Sequence, residues 1–272
     1  MTRRPVLFVN PRSGGGGAVR AAVPDLARKK GIEVVLVQPG RSLSQLVADA
    51  VAGAADALGV AGGDGSLAVV AAAACDHGLP FACVPTGTRN HFALDLGLDL
   101  DDVAGAVDAL VEGDERRIDV AEVNGRLFLN NVSLGIYGDA VREPGYRDAK
   151  VRTLLQTAES VLGPSGEIDD LEVVDDRGRV HSRPAVVLVS NNPYSLEPRV
   201  TRGGRPSLDT GRLGVVVLDR RPPGHAWTTA ALEVAASSPV HAGIDGEAVD
   251  LEAPLRFAIR PRALRVRVGS RG

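Results

Sequence analysis

The chain has 272 residues, a formal net charge of −3, 24% charged and 44% hydrophobic residues. These are globular values that exclude a disordered chain and leave room for one large domain or two modest ones. The mild acidity speaks against a whole-chain nucleic-acid binder, and aromatic residues at 3% offer no platform for stacking bases. No eighteen apolar residues run uninterrupted, so no transmembrane segment is expected, and the apolar run at 6–9 is too short for a signal peptide. Cys75 and Cys83 stand in apolar surroundings without metal-type spacing and read as buried free thiols of a reducing cytosol.

In chain order, PVLFV (5–9) reads as a buried strand breaking into a glycine loop, NPRSGGGG. AVRAAVPDLARKK (18–30) has helical spacing and stops at Gly31. IEVVLVQ (32–38) is a second strand, and SLSQLVADAVAG (42–53) a helix capped by Ser42 or Ser44. DALGVA (56–61) runs into GGDGS, followed by the helix SLAVVAAAACDHG (66–78) with Ser66 available as its cap. PFACVP (80–85) is a fourth strand leading into TGTRNHFALDLG. DLDDVAGAVDALVEG (99–113) is a further helix with acids in its first turn. Alternating short strands and helices predict a doubly wound, parallel α/β sheet, which puts the loops at Asn10, Gly62 and Pro85 on one rim.

Near Glu115 the pattern changes. RRIDVAEVNGRLFLNNVSLG (116–135) carries a hairpin signal at Asn124–Gly125, and 168–192 repeats it around Asp176 to Gly178. Residues 211–219 and 255–269 are further strands, with helices expected at 148–163 and 224–237. The second half therefore reads as a mostly antiparallel β domain, a sandwich. With no linker visible, the domains are expected to abut across a cleft, with boundaries at 1–116 and 117–272.

Walker-type GxxxxGK[ST], GxGxxG, GxSxG and HExxH signatures are absent. The run Ser13 to Gly17 offers backbone N–H donors at a helix start, which suits either an anion or a plain connector. In GGDGS, Gly62 and Gly63 permit close approach, and Gly65 can adopt a positive φ that side chains resist. Asp64 near a phosphate oxygen would repel it by about 1 kcal/mol in water and more near a protein surface. A bridging Mg²⁺ reverses that sign; the alternative is an Asx turn at the helix start. Thr86, Thr88, Arg89 and Asn90 offer hydroxyl and cationic groups to a nucleotide, or cap a helix.

Taken together, NPRSGGG, GGDGS, PTGTRNHFALDLG, FLNNVSLGIYG, VLVSNNPY, LDTGRLGVVVL and HAGIDGE resemble the diacylglycerol kinase catalytic-domain family, which includes soluble bacterial lipid kinases and sphingosine kinases. The resemblance implies an α/β nucleotide-binding domain, a β-sandwich domain and an active site between them, with ATP and Mg²⁺ serving phosphoryl transfer to a lipid hydroxyl. It maps Asn10, Arg12, Ser13, Gly14 and Gly15 onto a first phosphate loop. Gly62, Gly63, Asp64, Gly65 and Ser66 form the second, with Asp64 near the metal, and Thr86, Gly87, Thr88 and Asn90 the third. Asp64, Asp245 and Glu247 are the implied catalytic carboxylates. Two departures stand out: Val69 where a glutamate is frequent, and Thr210 where an acidic pair helps hold a structural metal, leaving Asp209 alone.

Diacylglycerol is the leading acceptor class, with sphingoid and other lipid alcohols close behind. The rivals are an NAD kinase-like enzyme and a non-catalytic nucleotide- or lipid-binding regulator. A cytoplasmic protein visiting the inner membrane surface follows, with homodimerisation left open and no nucleic-acid partner expected. Arg265 and Arg267 share a strand face that suits either anionic headgroups or plain solvation. Residues 191–206, rich in proline and glycine, are expected to form a mobile lip.

Overall fold

The computed structural model describes residues 3–11, 17–38, 40–87, 90–135, 170–195, 204–218 and 225–269. The chain divides into two compact units, residues 1–118 with 262–272, and residues 119–261.

In the first unit, β1 (Pro5–Val9) lies between β2 (Glu33–Leu36) and β3 (Ala57–Gly62), and β4 (Pro80–Pro85) extends the sheet beyond β3, all parallel. Parallel neighbours need crossover helices, supplied by α1 (Gly17–Lys29), α2 (Leu43–Ala52) and α3 (Asp64–Asp76). Alternate strand residues face opposite sides. Leu7, Val9, Ala61, Ala82 and Val84 pack with Val23 and Ala27 of α1 and Val107 and Leu110 of α5 (Val103–Glu112). Their neighbours Leu58, Val60, Phe81 and Cys83 are buried too, with α3 packed on β3 and β4. Both faces are covered, which is why these strands read as unbroken apolar runs.

The helix ends follow local chemistry. Ser42 caps α2 by accepting the Gln45 N–H at 3.2 Å, and Asp102 caps α5 by accepting the Gly105 N–H at 2.8 Å. The acids expected inside the first turn of α5 thus precede it. Gly31 follows α1 at φ +74°. The short α4 (His91–Asp95) sits against β4 through Phe81 and Phe92, whose rings are 6.5 Å apart.

In the second unit the strands are antiparallel. β12 (His225–Thr229), β11 (Leu213–Leu218), β10 (Val186–Asn191), β7 (Asn131–Gly135), β14 (Val240–Ile244) and β15 (Glu247–Leu251) form one sheet in that order. Opposite lie the hairpin of β5 (Asp114–Val123) with β6 (Arg126–Phe128), and the set β16 (Leu255–Val268), β13 (Ala231–Ala235), β8 (Glu172–Val174) and β9 (Val180–Ser182). One core takes Val132, Leu134, Val187 and Val215 from the first sheet and Phe128, Val173, Val234 and Phe257 from the second. That makes a sandwich. Phe128 meets Phe257 edge-on at 6.4 Å, the arrangement the ring quadrupoles favour.

Two expectations need correction. Residues 225–235 are strands β12 and β13, not a helix. Alanines there suggest helix, but in Ala231–Ala235 the burial alternates every second residue, so a sheet face decides the outcome. The second domain was also expected to run to residue 272. Instead Arg265–Arg267 of β16 pair in parallel with Pro80–Ala82 of β4, which returns 262–272 to the first unit. The expected helix at 148–163 lies outside the described residues.

Phe257→Ala should cost about 3–5 kcal/mol, read as a lower urea midpoint, because a fully enclosed ring leaves a cavity. Val174→Thr, at a side chain 51% exposed, should change stability by less than about 0.5 kcal/mol.

Candidate functional site

In the first unit β3 and β4 end level, Gly62 opposite Pro85, and β1 ends one residue earlier, Val9 lying opposite Ala61. Asn10, Gly63 and Thr86 therefore follow within one residue of the same height along a rim about 10 Å wide across three strands. Asn10 ties this rim together, its Nδ2 donating to Ser66 Oγ at 3.2 Å. Asp64 opens α3, placing a carboxylate where the helix N-terminus favours negative charge. Asn90 braces the third loop from both sides: its Oδ1 accepts the Gly87 N–H at 3.2 Å, and its Nδ2 donates to the Gly87 carbonyl at 2.9 Å.

Thr86 carries a notable group. Its Oγ is buried and has no hydrogen-bond partner among the described residues. Buried hydroxyls are nearly always paired, so this one stands out on the rim. Asp64 also lies close enough to Cys83 that its charge, after burial itself, pushes that thiol up. Cys83 is therefore inert as a nucleophile. Cys75 is half-buried rather than buried.

Two details differ from expectation. Gly63 caps α3 with extended backbone, and Ser66 lies inside the first turn, where it accepts from Asn10 instead of capping. Gly65 is helical rather than at positive φ, because the helix starts at Asp64 and leaves no turn after it. Arg12, Ser13, Gly14, Gly15 and Thr88 lie outside the described residues.

In the second unit, Asp245 and Gly246 turn β14 into β15 with φ of 48° and 86°, the pair of left-handed residues that tight hairpins require. The Asp245 carboxylate accepts three backbone N–H groups, from Leu129 at 2.8 Å, Asn130 at 2.7 Å and Asn131 at 3.2 Å. Burial pushes this carboxyl up to about 6, against the opposing pull of those N–H donors and of Arg205. Arg205 grips the same segment from its carbonyl side. It donates to the carbonyls of Leu129 and Asn191 and to Asn130 Oδ1 at 2.9 Å, and it lies over the Tyr194 ring. A carboxylate and a guanidinium thus fix one short stretch through its N–H groups and its carbonyls.

Sequence reasoning missed Arg205, Asn191 and Asn192. All three are buried, so the described ends of the expected lip, 191–195 and 204–206, are anchored polar segments. A run of asparagines closing an apolar strand, VLVSNN, was the available signal. Glu247 is exposed at the start of β15. Asp209 is exposed and bonds the Ser207 hydroxyl, and it belongs to no described group of metal-ligating side chains. Thr210 instead ties its loop to Asn192 Oδ1 through its N–H at 2.8 Å and its hydroxyl at 2.6 Å. Arg265 is engaged rather than solvated, pairing both carboxylate oxygens of Glu115 and holding that carboxyl below its usual range.

Thr86→Val should leave the melting temperature unchanged or raise it, since no bond within the described chain is lost; a fall of several degrees would reveal a hidden partner. Asp245 gives a pH test. Its folded value of about 6 lies above the ordinary 3.8, so its contribution to stability is full below pH 4 and is lost as pH rises through 6. The stability difference between the parent and Asp245→Asn, from urea unfolding, should fall by roughly 3 kcal/mol over that window. A difference independent of pH would refute the burial account.

Comparison with known proteins is consistent across sequence and structure. The family model for the diacylglycerol kinase catalytic domain matches residues 4–123. A diacylglycerol kinase of Mycobacterium tuberculosis strain H37Rv is 36% identical over 120 residues, which is 43% of this chain and 39% of that protein. In that match the chain spans well under half of its relative's length. A protein of Pseudomonas fluorescens named "Probable lipid kinase YegS-like" is 30% identical over 97% of this chain and 95% of its own length. A crystal structure of a diacylglycerol kinase from Bacillus anthracis strain Sterne covers 98% of this chain and 97% of its own, with a TM-score of 0.71 at 18% identity, and so shares the fold. With near-complete coverage on both sides, this chain belongs to the diacylglycerol kinase catalytic-domain family.

Proposed function

We propose that the protein is an ATP- and Mg²⁺-dependent lipid kinase with diacylglycerol as its leading acceptor. The observation that carries the reading is the rim in which Asn10, Asp64 and Thr86 follow three adjacent parallel strands that end within one residue of each other. Ligands of open α/β sheets bind outside these carboxyl ends. The family relationship supports the choice of a lipid as acceptor.

The donor set fits the nucleotide. Thr86 offers a buried hydroxyl without a partner among the described residues, and α3, whose Ser66 and Leu67 N–H groups already bond the Gly63 carbonyl, directs the positive end of its dipole at the rim. Asp64 supplies the carboxylate that would hold the metal. Bound Mg²⁺·ATP would bring the γ-phosphoryl group together with the cation that neutralises its charge. Asp64 would hold that metal, and the Thr86 hydroxyl and the positive end of the α3 dipole would stabilise phosphate charge. Asn10 and Asn90 act indirectly by holding the loops that present these groups.

In the second unit, Asp245 has the chemistry of a general base. Its carboxyl, raised to about 6, is ionised at neutral pH yet more basic than an ordinary carboxylate. Three N–H donors fix its orientation, and Oδ2 accepts only one of them, leaving a lone pair for the proton of an attacking hydroxyl. We assign Glu247 to the same catalytic set because the family motif includes it.

The test is Mg²⁺-dependent transfer of labelled γ-phosphate from ATP to diacylglycerol, sphingosine and NAD, the lipids dispersed in mixed micelles. Labelled lipid is expected; labelled NADP would overturn the lipid assignment. Asp64→Asn should lower turnover on the order of a hundredfold or more while retaining its circular dichroism melt. In the parent, kcat/KM should rise with pH up to about 6 and then level off, following deprotonation of Asp245.

A further inference from the structure

The second unit gathers a further set of titratable side chains that the proposed chemistry does not use. Asp175 and Asp176 sit in the turn between β8 and β9, and His225 opens β12. One carboxylate oxygen from each aspartate and one ring nitrogen of His225 all lie within 4.8 Å of one another. His225 Nε2 is 2.8 Å from Asp176 Oδ1 and 3.8 Å from Asp175 Oδ2. Ligands bound tetrahedrally at about 2.1 Å stand roughly 3.4 Å apart, midway between these separations.

The surroundings orient these groups as the outer partners of a metal centre do. His181, with no exposed side-chain surface, brings its Nε2 to 3.2 Å from Asp175 Oδ2. Asp175 Oδ1 is held by the N–H groups of Arg177 at 2.8 Å and Arg179 at 2.9 Å. Trp227 stacks on the His225 ring at 5.3 Å with 17° between planes, which fixes where Nε2 points. Asp176 and His225 keep 46% and 16% of their side-chain surface, so an ion can enter.

The location gives the cluster a purpose. β9 ends one sheet of the sandwich and β12 ends the other. No backbone hydrogen bonding closes a sandwich at its open edge, and this cluster joins the two end strands through side chains alone. We propose that Asp175, Asp176 and His225 form a structural site for a divalent transition ion of the zinc type, with His181 as a positioning residue, clipping the edge of the β sandwich. One imidazole and two carboxylates favour such an ion over Mg²⁺, which prefers an all-oxygen shell that retains water. The residues differ from those proposed for the nucleotide-associated Mg²⁺, and the proposal does not depend on the kinase assignment.

The experiment uses the full chain, stripped with chelator and studied without nucleotide. Titration with Co²⁺ should give one visible d–d absorption band saturating at one ion per chain, displaced by Zn²⁺, and Zn²⁺ should raise the melting temperature. Asp176→Asn and His225→Gln, both at accessible positions, should each weaken Co²⁺ binding about tenfold or more and abolish the Zn²⁺-induced shift, while keeping the metal-free melt. An absent band, or a band and shift unchanged in both variants, would overturn the proposal and leave the His225–Asp176 contact as a plain hydrogen bond.

Discussion

Parallel strands hold one another in register through evenly spaced backbone hydrogen bonds, and in the first unit that register does more than any single side chain. Because Val9 lies opposite Ala61 and Gly62 opposite Pro85, three separate loops leave the sheet within one residue of the same height. A slip of one residue in any of the three strands would turn its side chains to the opposite face. Asn10, Asp64 and Thr86 are chemically ordinary residues. The ladder beneath them makes them a set, and the buried residues on both faces of β1, β3 and β4 hold that ladder in place.

The second unit reaches precision by another route. Its segment at Leu129–Asn131 is held through its N–H groups by Asp245 and through the Leu129 carbonyl and the Asn130 side chain by Arg205. Burying a carboxylate and a guanidinium is costly unless each finds partners, and here most of the partners are backbone groups. The cost survives in the raised carboxyl of Asp245. Ground-state strain of this kind suits a proton acceptor, because a carboxyl that is easy to protonate in the fold is a stronger base there.

Side chains also replace missing backbone contacts at the edge of the sandwich. The stacked rings of His181, His225 and Trp227 are nearly parallel, with 8° to 17° between them, and the two histidines present ring nitrogens to Asp175 and Asp176. The arrangement is dense in ligating atoms for a structural corner, and it lies in hairpin and strand-start positions that carry no motif.

Sequence alone determined the elements whose cause is local or periodic. Apolar runs separated by helical spacing marked the parallel sheet, Asn124–Gly125 and Asp176–Gly178 marked hairpins, and Ser42 marked a helix start, because these signals depend on neighbours within a few residues. The loops at Asn10, Asp64 and Thr86 were legible for the same reason, each following a strand. The alanine-rich stretch at 225–235 misled, since its strand state comes from pairing with β11 and β16 far along the chain. Tertiary structure alone decided that residues 262–272 return to the first unit beside β4, that Arg205 and Asp245 grip one segment from opposite sides, and that Asp175 meets His225. Each of these joins residues tens or more positions apart, and such pairings are set by packing and hydrogen-bond satisfaction in three dimensions, which leave no period or spacing in a sequence.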